Sequence, residues 1–540
     1  MNRRDAIIGI GIVAVLAVVL ILILSNKKTE MVPSVMQTHE TSSLTETEKP
    51  ADSPTERKAI RITNPPAEAN TEAPTATPNP WVETEHSPTC EEAGYIVREN
   101  KAEGYTVIDE GKPALGHEYG EWKRNPDNGM MVTVCTRCGK EISRRAVHEY
   151  SIPRIDFTGS MEGIGKKDQV TLGFDFASST DNFSCYSYTT WQGHNTLKYP
   201  KKNYTIRLFN DDSITEKHRL AFNGWQREHK YILKANYRDI SQARNLIAAN
   251  LWADLVASRP GLFETLKHTS NYGAVDGFPV VVYLNGEFHG LYTMNLHIDD
   301  DLYQMDNARD TVMIANSTEP DECRFQAEAA FTDQKNAWEV EFCGSGEDDQ
   351  WAKDSLNELI RFVMKSDDET FRAQLKDYLD VDGAIDYLIF LYVTGLQNNA
   401  GKDLVLLKYH DCSVWIPSVY DMERAFGLGL DGTEYISPEV FLPEISDEVR
   451  NSGTGSLLWD RLLQGFTQEI RARYSELRQT LLEEEKLIGR VEAYMEQIPD
   501  IYQEMDLKLF PRQVPEQKPR EQMIQYIRQR LTVLDQALKE

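Results

Sequence analysis

The chain has 540 residues, and its 58 Lys and Arg against 85 Asp and Glu give a formal charge of −27. That balance excludes a general nucleic-acid binder, which needs basic patches to neutralise phosphates, and no such patch of any length occurs. Seven cysteines are too few, and odd in number, for a disulfide framework, while 10% aromatic residues suffice to build large cores.

Residues 6–24 form an uninterrupted apolar run of Ile, Val, Leu, Ala and Gly. A helix rising ~1.5 Å per residue needs about 20 such residues to cross a bilayer, so the run predicts a signal anchor over residues 1–27. Arg3 and Arg4 before it nearly balance Lys27 and Lys28 after it. The long polar remainder is what favours export of the carboxy-terminal side. The expected location is a single-pass cell-membrane protein with its folded part outside the cytoplasm. Residues 28–86 are rich in Thr, Pro, Glu and Ser. Too little apolar surface is available there to offset chain entropy, and a disordered linker is expected.

Residues 87–150 have a different pattern. Gly116-His117-Glu118-Tyr119 and His148-Glu149-Tyr150 are half-repeats flanking a Cys135-Thr-Arg-Cys138-Gly139 knuckle, and Cys90 opens the segment. The pattern resembles short repeats of bacterial surface proteins. A C-x2-C turn places two thiolates on one side, as tetrahedral zinc requires. Cys90, His117, Cys135, Cys138 and His148 are therefore the candidate ligands of one composite zinc site, with a Cys135–Cys138 disulfide or no metal as the alternatives.

From residue 151 the chain alternates strand and helix signals and predicts an α+β fold. Strands are expected at 168–176, 204–209 and 231–235, followed by a helix at 241–256. Residues 278–284 and 288–296 flank Asn285-Gly286, a hairpin signal because Asn-Gly accepts the positive φ of a type I′ turn. Helices are expected at 351–366, 369–379 and 385–394, then a hairpin at 404–410 and 414–419, then a helical end from about residue 455. A β-rich front and a helical back predict two lobes around a cleft within residues 151–540.

Four stretches carry a family resemblance. They are Trp191-Gln-Gly-His-Asn-Thr-Leu-Lys-Tyr-Pro-Lys-Lys-Asn-Tyr204, Leu233-Lys-Ala-Asn-Tyr-Arg-Asp-Ile-Ser-Gln-Ala-Arg-Asn245, Val282-Tyr-Leu-Asn-Gly-Glu-Phe-His-Gly-Leu-Tyr292, and Gly401-Lys-Asp with Tyr420-Asp-Met-Glu-Arg-Ala-Phe-Gly427. In order and spacing they resemble the CotH kinase family, atypical kinase-like proteins named after a spore-coat component. The resemblance implies a two-lobed, protein-kinase-like domain that moves phosphate from ATP, with Mg or Mn, to surface or spore-coat proteins. It implies cation ligands from Asp421 and Asp403; Glu423 is spaced to join them, and Lys201, Lys202 and the backbone at Gly193 and Asn195 are candidate phosphate contacts, the two lysines being alternatively one solvated and one structurally paired. Asp239 and Arg244 read as structural, Asp239 as a cap for the following helix.

The sequence departs from the family in one segment, Asn398-Asn399-Ala400-Gly401-Lys402-Asp403. Asn398 stands where the family has its catalytic Asp, and Asp403 where it has a metal-binding Asn. An amide cannot accept a hydroxyl proton at neutral pH. The readings are thus a kinase using Asp403 as substitute base, a pseudokinase serving as a surface or coat scaffold, and a wall-polysaccharide adhesin.

Overall fold

The computed structural model describes residues 62–63 and, with short breaks, 81–143, 152–443 and 453–539. The apolar run 6–24, and His117 and His148 of the zinc set, lie outside the described residues. Among the described residues no helix is long and apolar enough to cross a membrane.

The chain divides into two compact units, one of residues 1–84 and 96–109, the other of residues 85–95 and 110–540. In the first, Ile62–Thr63 pairs antiparallel with Tyr105–Thr106. Arg98 ties it together through Glu83 at 2.9 Å and Asp109 at 2.8 Å. Strands at Ile62–Thr63 and Trp81–His86 thus occupy part of the stretch expected as linker. Pairing partners more than 40 residues apart in the chain are not legible from local composition.

The second unit holds the large domain. Strands β1 (Arg154–Thr158), β2 (Val170–Ala177), β3 (Asn182–Gln192), β4 (Asn203–Phe209) and β5 (Lys230–Lys234) precede helix α1 (Arg244–Ala257). The hairpin β6 (Gly277–Leu284) and β7 (Glu287–Leu296) follows. These strands close into a barrel in the order β3-β4-β5-β7-β6-β1-β2, antiparallel except where β6 meets β1. Closure removes the exposed strand edges that would otherwise invite intermolecular pairing. Alternation makes it work: Leu172, Phe174 and Phe176 of β2 point inward, and Phe157 of β1 meets Phe174 edge-on at 5.6 Å. Asn285 and Gly286 turn the β6–β7 hairpin with φ of 50° and 84°, the positive pair expected of Asn-Gly.

Beyond the barrel, β8 (Val312–Ala315), β9 (Glu339–Cys343), β10 (Leu404–Tyr409) and β11 (Cys412–Val419) form a second sheet, ordered β9-β8-β10-β11. Besides the short helices Glu264–His268 and Asp368–Gln374, helices α2 (Gln350–Lys365), α3 (Val381–Thr394), α4 (Leu457–Gly465), α5 (Thr467–Arg478), α6 (Glu484–Met495), α7 (Asp500–Leu509) and α8 (Pro519–Lys539) belong to the domain. Helix α3 is apolar on nearly all sides and is buried from Gly383 to Thr394, packed by α1, α5 and α8. Asp380 caps its start by accepting the Gly383 N–H at 3.2 Å. Gly395 ends it in the left-handed conformation, where a Cβ would collide with the Tyr526 hydroxyl. The domain is mixed α/β, with a closed seven-stranded barrel in its first part.

Candidate active site

The site begins at the open end of the β10–β11 hairpin. Leu404 pairs with Val419, so Asp403 and Tyr420-Asp421 leave the ladder side by side. Asp403 and Asp421 both have positive φ, 60° and 49°. Such backbone is uncommon outside glycine and persists only where neighbours enforce it. Here amides enforce it: Asn399 Nδ2 donates to the Tyr420 carbonyl at 2.7 Å, and the Met422 N–H donates to Asn245 Oδ1 at 2.9 Å. Asn316 accepts the Asp403 N–H at 3.2 Å and donates to the Gly401 carbonyl at 2.7 Å.

Lys234, at the end of barrel strand β5, reaches Asp421 Oδ1 at 2.8 Å. Burial alone would raise the Asp421 carboxyl, but Lys234, Arg238 and Lys402 outweigh it and hold the carboxyl below its usual range. Burial would likewise lower Lys234, yet Asp421, Tyr420 and Asp403 keep its ammonium charged and its pKa raised. Each partner therefore stays ionised because of the other.

The pair lies on the wall of a cavity of about 500 Å³ between the barrel and the second sheet. Ile232, Met313, Ala315 and Val405 give it an apolar end, and Lys166, Arg207 and Lys234 supply cations. An apolar slot with a few convergent charges is the usual make-up of a ligand site. Gly193 and His194, on the turn after β3, form its lip. Gly193 has φ of 105°, and a Cβ there would strike Thr196 Oγ1.

The other residues singled out in the sequence are distributed differently. Asn195 opens a single exposed turn, Asn195–Lys198, and does not line the cavity. Lys201 is fully buried, paired with Asp506 of α7 at 2.8 Å and donating to the Leu291 carbonyl. Lys202 donates to the Leu197 carbonyl at 2.7 Å and to that of Tyr199, with its charge over the Trp191 ring. Neither lysine lines this cavity; Lys201 lines a small neighbouring pocket together with Lys234 and Glu423. The buried carboxylate of Glu423 is paired with Arg238 and does not line this cavity. Asn398 faces a separate cavity of about 350 Å³, beside Arg324, Arg424 and Tyr526. Asp239 accepts the Arg244 N–H at 3.1 Å in the first turn of α1, and its other oxygen lies 3.4 Å from Arg244 Nε.

Lys234, Asn245 and Arg207 were missed by sequence reasoning. Lys234 carried a signal: it is a lysine inside the strand Lys230–Lys234, whose other members from Tyr231 on are buried and apolar. A cation at such a place needs a carboxylate partner.

The donor set at the hairpin end fits a hard divalent cation. Asp421 is held ionised on the cavity wall, whereas Asp403, leaving the ladder next to Tyr420-Asp421, does not line the cavity and has its Oδ2 3.9 Å from Lys402 Nζ; carboxylate oxygens are what Mg²⁺ and Mn²⁺ prefer.

A family description, CotH kinase protein, matches residues 190–534, more than half of the chain. The chain is thus a kinase-like protein. It belongs to the CotH kinase family. No curated protein sequence matches it.

Proposed function

We propose that the cavity binds ATP with a divalent cation and that the protein transfers the γ-phosphoryl group to hydroxyls of surface or spore-coat proteins. The observation that carries this reading is the Lys234–Asp421 pair, 2.8 Å apart on the wall of a half-apolar cavity. In this reading the barrel is the amino-terminal lobe, the second sheet and helices are the carboxy-terminal lobe, and the cavity is the cleft. The apolar end takes the base, Lys234 and Arg207 meet phosphate oxygens, and the Gly193 turn covers them with backbone N–H groups.

Phosphoryl transfer asks the protein mainly for positioning and charge. Asp421 is the principal ligand for Mg²⁺ or Mn²⁺, with Asp403 the second carboxylate; when bound, the cation neutralises charge on the phosphates. Lys234 orients the phosphate chain. Asp403 takes the acceptor's hydroxyl proton, a role closed to the Asn398 amide. The segment 6–24 anchors the chain, so that the acceptors are extracytoplasmic.

A pseudokinase scaffold, binding nucleotide or wall polysaccharide without turnover, is the second reading. Asn398 at the family's base position favours it, as does the scarcity of ATP outside a cell. Autophosphorylation with labelled ATP and Mg²⁺ or Mn²⁺ decides between the two, using the full chain beside Asp421→Ala and Asn398→Asp. The kinase reading expects incorporation that Asp421→Ala abolishes. A silent wild type that still binds the nucleotide would establish the pseudokinase, and because Asn398 lines a separate cavity, Asn398→Asp should stay silent too.

A further inference from the structure

The C-x2-C knuckle takes no part in the phosphoryl-transfer site. Cys135 opens a five-residue turn: its carbonyl accepts the Gly139 N–H at 2.9 Å, its N–H donates to the Lys140 carbonyl at 2.9 Å, and Gly139 has φ of 72°. That turn brings Cys138 round beside Cys135, and Cys90 arrives from 45 residues earlier. The three sulfurs all lie within 4.8 Å of one another.

We infer that Cys90, Cys135 and Cys138 bind one zinc ion, which staples residues 85–95 to residues 110–143. The spacing speaks for metal. Cys90 Sγ and Cys135 Sγ are 3.8 Å apart. Tetrahedral zinc with Zn–S bonds of ~2.3 Å separates its sulfurs by ~3.8 Å, whereas a disulfide holds them at ~2.05 Å. The Glu118 N–H donates to Cys135 Sγ at 3.4 Å, the kind of outer hydrogen bond that steadies a ligating thiolate.

Packing supplies a second argument. Among the described residues of 85–95 and 110–143, the buried apolar side chains are Cys90 and Cys135 themselves. Strands of two to four residues, as at Lys123–Arg124, Met131–Val134 and Glu141–Ser143, cannot hold together on so little apolar burial. Small folds of this kind rely on a metal or a covalent bridge, and metal-binding energy then becomes folding energy.

The test is metal analysis of the full chain purified with reductant, followed by Co²⁺ titration of the metal-stripped chain. About one zinc per chain is expected, with thiolate-to-cobalt charge-transfer absorption on titration. Cys90→Ser, Cys135→Ser and Cys138→Ser should each lose the metal, and Cys343→Ala should keep it. His117→Ala and His148→Ala report whether either supplies the fourth ligand. A wild-type chain without zinc and without the cobalt band would overturn the inference whether or not any variant folds. So would a disulfide between two of the three cysteines in chain purified without reductant. Neither result bears on the nucleotide site.

Discussion

Asp403 and Asn398 differ by one atom type from the residues the family places there, yet the exchange alters what each can do. Asp403 sits at the hairpin end beside Tyr420-Asp421, and its charge is felt by Lys234 and Tyr420. Asn398 lines a different cavity. In the proposed mechanism, replacing Asp403 by Asn keeps an oxygen for the cation and removes the proton acceptor. Transfer should fall by ~10²–10⁴-fold in Asp403→Asn, the usual worth of a general base, while nucleotide affinity changes little. Single-turnover rates beside equilibrium binding would show it; equal losses in both would assign Asp403 to the cation alone. Lys234 shows how the sequence misleads at this scale. Lys201-Lys202 is the conspicuous basic pair, but a lone lysine among apolar strand residues reaches the site.

At the scale of elements, Lys201 has structural work between β4 and α7. Asp506 of α7 accepts from the Leu291 N–H at 2.9 Å and pairs with Arg512 at 3.1 Å as well as with Lys201. Removing one partner of a buried pair leaves the other uncompensated, so Asp506→Ala should cost ~3–5 kcal/mol in denaturant unfolding. Burial pulls Lys201 down to about 8 from 10.5; Asp506 opposes the fall and Arg512 adds to it. A lowered lysine pKa means the unfolded chain holds more protons between those values. The Lys201 contribution to stability therefore rises as pH climbs from about 8 to 10.5 and is flat below that window. Lys201→Met should lack this rise in pH-dependent unfolding. The β6–β7 hairpin and helix α3 were legible from Asn-Gly chemistry and an apolar run, because both signals are local.

Across the whole molecule, what the sequence left hidden is long-range. Closure of seven strands into a barrel depends on β1 meeting β6 in parallel and β5 meeting β7, pairings that no local pattern encodes. The interleaving of residues 96–109 with 62–84 escaped for the same reason. The thiol cluster was legible in part: the C-x2-C spacing announced Cys135 and Cys138 and the segment's opening Cys90 stood among the candidates, while the fold alone shows that the three sulfurs converge. For the cavity, the motif positions Gly193 and Asp421 could be read directly, whereas Lys234, Asn245 and the apolar end converge from separate strands and a helix.

The central claim is that Lys234 and Asp421 form a nucleotide site. Calorimetric titration of the full chain with a non-hydrolysable ATP analogue and Mg²⁺ tests it most directly, in wild type, Lys234→Met and Lys202→Ala. A charged hydrogen bond to phosphate is worth ~1.5–3 kcal/mol, so Lys234→Met should weaken binding by ~10–100-fold and Lys202→Ala should leave it near wild type. Wild-type affinity in Lys234→Met, or loss confined to Lys202→Ala, would contradict the account.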